Sequence, residues 1–185
     1  MRFLGLLAAL LLSACGTILP TSFGSSTTTA TLVAADAATA LAVGERVTMT
    51  VSSPRGDPPE GQDALILMRL RHADGRIMLF DESNHAPMHV MAQAPGGALA
   101  QIMGLFGEEQ PTLYGARGDA NQGGSFICGP DGPAAVGYYR AADGGVQLVG
   151  LRQDIEFEPL PNGGYSALPY SPDRVCARLR FQAAP

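Results

Sequence analysis

The segment His85-Ala86-Pro87-Met88-His89-Val90-Met91 holds two of the chain's three histidines and two thioethers. Imidazole and thioether together suit copper, above all the reduced ion. On a helix, His85, Met88 and His89 would share one face; on a strand, His89 and Met91 would. Pro87 permits a first helical turn but narrows the options. The competing reading makes Met88, Val90 and Met91 apolar filler and the histidines surface groups, because methionine fits irregular gaps. That reading is favoured, since no third or fourth ligand stands at the spacing of a strong metal motif. The expectation is therefore no cofactor. Copper is the alternative, with His85, Met88, His89 and Met91 as its ligands.

A second constellation is Asp154, Glu156 and Glu158, which alternate with Ile155 and Phe157. On a strand this puts three carboxylates on one face. They could hold a cation or dock a basic partner. A solvated sheet face is the preferred reading, because Arg174, Arg178 and Arg180 alternate with Val175, Ala177, Leu179 and Phe181 on another strand. If those two strands pair, cross-strand contacts consume the acids. Nucleophilic chemistry finds little support. Gly123-Gly124-Ser125-Phe126-Ile127 lacks the last glycine of a nucleophile elbow, and no HExxH occurs. All 12 bases are arginine, so a P-loop lysine and a Schiff base are excluded. No catalytic residue is assigned, and a non-enzyme is expected. Tyr138-Tyr139 reads as one ring facing inward and the next outward.

The N-terminus carries an address. Arg2 precedes an apolar run from Phe3 to Leu12, then Ser13-Ala14-Cys15-Gly16, the three parts of a secretory signal. The run falls well short of the roughly 20 residues a spanning helix needs. Leu12-Ser13-Ala14-Cys15 resembles the lipobox of bacterial lipoproteins. The resemblance implies diacylglycerol on the Cys15 thiol, cleavage before it, and acylation of the new amine by a chain such as palmitate. One acyl chain binds a membrane marginally, whereas two or three hold almost permanently. Gly16 stands where that family often has an aspartate for inner-membrane retention. The outer membrane, facing the periplasm, is therefore favoured. The three cysteines are Cys15, Cys128 and Cys176, and lipidating Cys15 leaves an even pair. A Cys128–Cys176 disulfide suits the oxidising periplasm and is worth roughly 4 kcal/mol on the chain-entropy model. Two free thiols or a two-cysteine metal site remain the alternatives.

These residues need elements to position them. The 185-residue chain has 17 acids against 12 bases, which disfavours nucleic acid. Its 23 glycines and 14 prolines signal many turns. Residues 1–14 read as signal peptide, 15–44 as lipidated cysteine and flexible tether, and 45–185 as one β-rich domain. Within the tether, 32–43 could be a helix or a strand. Val47, Met49 and Val51 alternate with threonines, and Asp74-Gly75 between two apolar runs signals a hairpin. Leu99, Ile102, Met103 and Phe106 have helical spacing. Short strands are expected at 112–116, 125–128, 134–140, 146–153, 154–159, 165–168 and 174–182. The sum is a mainly β chain, an antiparallel sandwich or barrel-like meander with one short helix near 97–106. One conflict arises. Cys176 falls on the arginine face of its strand, so Cys128 must reach it there or the register must slip.

The function expected is that of a membrane-anchored envelope lipoprotein, a non-enzymatic binding or structural module. Its partners would be the membrane, through lipid, and an envelope protein or peptidoglycan. A copper-binding lipoprotein is the alternative. The layout of the Cys128–Cys176 half resembles the small lipoprotein barrels that inhibit lysozyme. Their inhibitory loop motif is absent, so that activity is not transferred.

Overall fold

A computed structural model describes residues 25–54, 66–82, 92–117, 123–163, 165–167 and 171–184. Its strands are β1 (Ser25–Ala34), β2 (Arg46–Pro54), β3 (Leu67–His72), β4 (Ile77–Glu82), β5 (Thr112–Ala116), β6 (Ala135–Arg140), β7 (Val146–Leu151), β8 (Phe157–Pro159), β9 (Tyr165–Ala167) and β10 (Val175–Ala183). Helices α1 (Ala37–Val43) and α2 (Ala98–Met103) accompany them. β1 to β7 form an antiparallel meander, and β10 pairs with both β7 and β1 to close an eight-stranded barrel. β8 and β9 form a separate hairpin on the β7–β10 connection. The mainly β, barrel-like fold with its short helix near 97–106 is thus as expected.

Closure removes the sheet edges that would otherwise template aggregation. An eight-stranded barrel is just wide enough for side chains to fill, and here they do. Leu32, Val47, Met49, Met68, Leu70, Met78, Phe80, Tyr114, Val136, Val146, Leu148, Leu179 and Phe181 form one inner cluster, with at least one residue from every barrel strand. The period-two pattern of Val47, Met49 and Val51 is this inner face.

Residues 25–44, read from the sequence as tether, belong to the barrel. β1 pairs with β2 from Ser25↔Pro54 to Val33↔Arg46. Its threonines are β-branched and suit a pleated strand. On the outer face, Thr27 bonds Ser52 at 3.2 Å and Thr29 bonds Thr50 at 3.1 Å. Inward it offers little more than Ala30 and Leu32, so no apolar alternation marks it. α1 follows, N-capped by Asp36, whose carboxylate accepts the Thr39 N–H at 2.7 Å. Buried Thr39 then accepts the Arg180 N–H at 3.0 Å, fastening α1 to β10.

α2 lies outside the barrel. Leu99, Ala100, Ile102 and Met103 are buried with Leu113, Ala135, Val149, Leu151 and Ile155 in a second cluster. Gly137 on β6 makes this approach possible: a Cβ there would stand 2.8 Å from Leu99 Cδ1 and 3.1 Å from Met103 Sδ.

Two further expectations are corrected. Residues 154–159 do not pair with β10; only Phe157–Pro159 is strand, and it pairs with β9. β7 takes the place beside β10 because α2 covers its outer face, so both of its faces are apolar. Residues 125–128 form no strand either, but cross the end of the barrel.

Candidate functional site

The two ends of the barrel differ in chemistry. At one end, Phe126 and Ile127 are buried in the inner cluster together with Val43 of α1. They act as a plug. Ser125 Oγ donates to Ile127 O at 2.6 Å and closes the turn. The β3–β4 hairpin clamps the plug from the side. Arg76 donates to Ser125 O at 2.9 Å and its guanidinium lies 5.7 Å from the Phe126 ring centre. The His72 ring is 5.2 Å from the same ring. Asp74 accepts from Arg76 Nε at 2.8 Å, and His72 Nδ1 lies 2.8 Å from its other oxygen. The Arg76 backbone N–H, followed by the His72 and Arg76 side chains, holds the Asp74 carboxyl down at about 2.

A disulfide ties the plug down. Cys128 and Cys176 are joined, with Cα atoms 5.1 Å apart. The β10–β7 register shifts between Val175 and Ala177, so Cys176 is the extra residue of a bulge. That slip resolves the face conflict seen in the sequence. Cys128 adopts a left-handed φ of 66°, and Gly150 leaves it room: a Cβ on Gly150 would come within 2.5 Å of Cys128 Sγ. A surface depression of about 520 Å³ beside the disulfide is lined by Arg152 and Arg178 among others.

β4 runs from the plugged end to Glu82 at the opposite end. Glu82 shares its inner-face parity with Met78 and Phe80. Its register partner on β5 is Tyr114, and Tyr138 on β6 packs against the same inner cluster. Tyr114 is only 4% exposed. Its ring meets that of Tyr138 edge-on, with centroids 6.3 Å apart and planes at 83°. Glu82 Oε2 is buried and has no hydrogen-bond partner among the described residues. Burial, with the charge of Glu82 and the neighbouring Tyr138, pushes the Tyr114 phenol well up from 10. Burial likewise raises Tyr138. This end of the barrel therefore holds a buried carboxylate oxygen without a partner among the described residues, beside two aromatic rings.

The sequence-derived candidates fare unevenly. Cys15, His85, Met88, His89 and Met91 lie outside the described residues. Cys128 and Cys176 come together. Asp154, Glu156 and Glu158 are exposed, and Arg174 reaches Glu156 at 3.4 Å without strand pairing. Tyr138 and Tyr139 pack in the inner and outer clusters respectively. Among the described residues, no group of three or more His, Cys, Asp or Glu could hold a metal, and no helix is long and apolar enough to cross a membrane. Glu82 was missed, although the two-residue period from Met78 and Phe80 already points it inward.

The fold defines a class, an eight-stranded up-and-down β-barrel plugged at one end. No family model, curated protein or solved structure matches the chain.

Proposed function

We propose that the chain is an exported protein held on an envelope membrane by lipid on Cys15, and that its barrel serves there as a non-enzymatic binding module. The observation that carries this reading is the Cys128–Cys176 disulfide. It accounts for two of the three cysteines and leaves the one inside the signal pattern as the odd thiol. A structural disulfide also fits an oxidising compartment. The binding role rests on the barrel mouth, where the buried Glu82 Oε2 lacks a partner among the described residues. Gly16 favours the outer membrane, with the barrel on its periplasmic side.

Metabolic labelling with radioactive palmitate tests the anchor. The wild-type chain is expected to take up label and to begin at residue 15. Cys15→Ser is expected to lose both label and processing. An unlabelled wild-type chain, or a mature N-terminus elsewhere, would overturn the reading.

A further inference from the structure

We propose that two copies of this chain pair through a knob and a hollow that each copy carries, with Phe106 of one copy seated in the depression beside the disulfide of the other. This goes beyond the binding role above, and it depends neither on lipid at Cys15 nor on the barrel mouth.

The argument starts from exposed apolar surface. Among the described residues, three large apolar side chains stand exposed: Leu41 at 90%, Phe106 at 85% and Leu160 at 38%. A single exposed apolar residue is ordinary. Phe106 differs because the chain holds it out. Gly104 ends α2 in a left-handed conformation, with φ 71°. Leu105 is buried in the outer cluster, and its N–H donates to Ala100 O at 2.9 Å. Phe106 follows and faces solvent, and Glu109 accepts its N–H at 2.8 Å, which fixes the turn. A ring presented in this way loses little freedom on docking, and its burial removes a large apolar surface from water.

The depression offers the match. Its volume of about 520 Å³ falls in the range of sites that enclose small ligands. Ala42, Phe126, Ile127 and the disulfide supply apolar lining. Among the described residues, Arg152 and Arg178 are the only charged members of that lining, and both are exposed. The knob carries the opposite charge. Phe106 is followed by Gly107, Glu108 and Glu109, and Glu108 is exposed. A ring beside acids thus meets apolar walls beside arginines. Leu41 directly precedes Ala42 and adds apolar surface at the border. Acids next to the ring also argue against an anionic bilayer as the partner of Phe106, because that surface attracts basic segments.

Arg178 connects the two halves. It lines the depression and donates to Ile102 O at 2.7 Å, at the helix end that leads to Phe106. Knob and hollow therefore lie on one side of the barrel, and a two-fold axis brings both pairs into contact at once. That is the isologous arrangement of a closed dimer. Glu108 of each copy then faces Arg152 of the other at the rim.

The test uses the full chain in a non-ionic detergent, with sedimentation equilibrium as the readout. The wild-type chain is expected to form a dimer that dissociates on dilution, and more readily at high salt, where rim pairs are screened. Phe106→Ala is expected to weaken the dimer on the order of a hundredfold, since each lost ring counts twice in a two-fold interface. Glu108→Arg and Arg152→Glu each set like charges opposite one another at both contacts, and each is expected to be monomeric where the wild-type chain is dimeric. Mixing these two variants restores opposite charges at both contacts. A heterodimer of wild-type strength is expected, which a folding defect in either variant could not produce. A wild-type chain that stays monomeric at every concentration, a Phe106→Ala chain as tightly paired as wild type, or mixed variants that do not pair would overturn the proposal. Assembly beyond dimers would overturn the two-fold arrangement. Palmitate labelling reports on the anchor separately, so the two readings fail independently.

Discussion

Removing the disulfide gives the sharpest test of how the plug is held. Cys128 and Cys176 are 48 residues apart, and opening a loop of that size costs about 4 kcal/mol on the chain-entropy model. The folded state has other means to keep the plug in place. Phe126 and Ile127 are 7% and 2% exposed, and Arg76 anchors Ser125. The plug should therefore stay docked without the bond, and the loss should come mainly from a freer unfolded chain. Cys128→Ala/Cys176→Ala is expected to lower the unfolding free energy by about 4 kcal/mol and the melting temperature by on the order of 10 °C. Residue 128 adds a second, internal check. At φ 66° an alanine is strained and a glycine is not. Cys128→Gly/Cys176→Ala should thus be about 1 kcal/mol more stable than the alanine pair. Urea unfolding followed by circular dichroism measures both. A loss below about 1 kcal/mol would show that loop closure does not limit stability. A glycine variant no better than the alanine one would refute the backbone argument.

Other outcomes follow from the packing and the titrating groups. Gly137→Ala should cost about 1–3 kcal/mol in a thermal melt, because its Cβ would strike Leu99 and Met103. In a Leu99→Ala background that cost should shrink, and full additivity would refute the contact. Asp74, lowered from 3.8 to about 2, contributes stability that is present above its unfolded value and is lost as pH falls through its folded one. Asp74→Asn should therefore flatten the stability–pH curve between those values, and an unchanged curve would contradict the clamp. Tyr114, raised by burial, should ionise after the exposed tyrosines in an alkaline absorbance titration. Its contribution persists below pH 10 and declines as pH rises above it; Tyr114→Phe should remove that late step.

What the sequence disclosed tracks how local each signal is. Val47, Met49 and Val51 revealed β2 because one face is core, and Asp74-Gly75 revealed the β3–β4 hairpin because the turn is chemically specific. Leu99, Ile102 and Met103 showed α2. β1 stayed hidden because its outward hydroxyls bond Ser52 and Thr50, more than 20 residues away, and no window of sequence holds both halves. The bulge at Cys176 was legible only as a contradiction between side-chain face and cysteine pairing. Pairing of 154–159 with β10 was wrong because the double burial of β7 depends on α2, another long-range fact. Glu82 was passed over because a single acid closing an apolar strand resembles an ordinary solvated strand end. Only the closed barrel makes its parity with Phe80 a burial.

The hidden strand also changes the geometry that the proposed anchor would impose. With a tether running to residue 44, the domain could stand far from the bilayer and face any way. With β1 beginning at Ser25, only residues 16–24 separate Cys15 from the barrel, and fully extended they reach about 30 Å. β2 alone is 9 residues long, roughly 30 Å of strand before tilt. That reach is no longer than the barrel itself, so lipid on Cys15, if attached as proposed, would bias the mouth toward the membrane and the plug away from it. A fluorophore on Thr27→Cys, near the mouth, should be quenched more strongly by headgroup spin-labelled lipid than one on Ala73→Cys in the β3–β4 hairpin. Both sites are exposed, so accessibility does not bias the comparison. Equal quenching would mean that the barrel has no preferred orientation on the proposed anchor, and stronger quenching at Ala73→Cys would invert the orientation argued from β1.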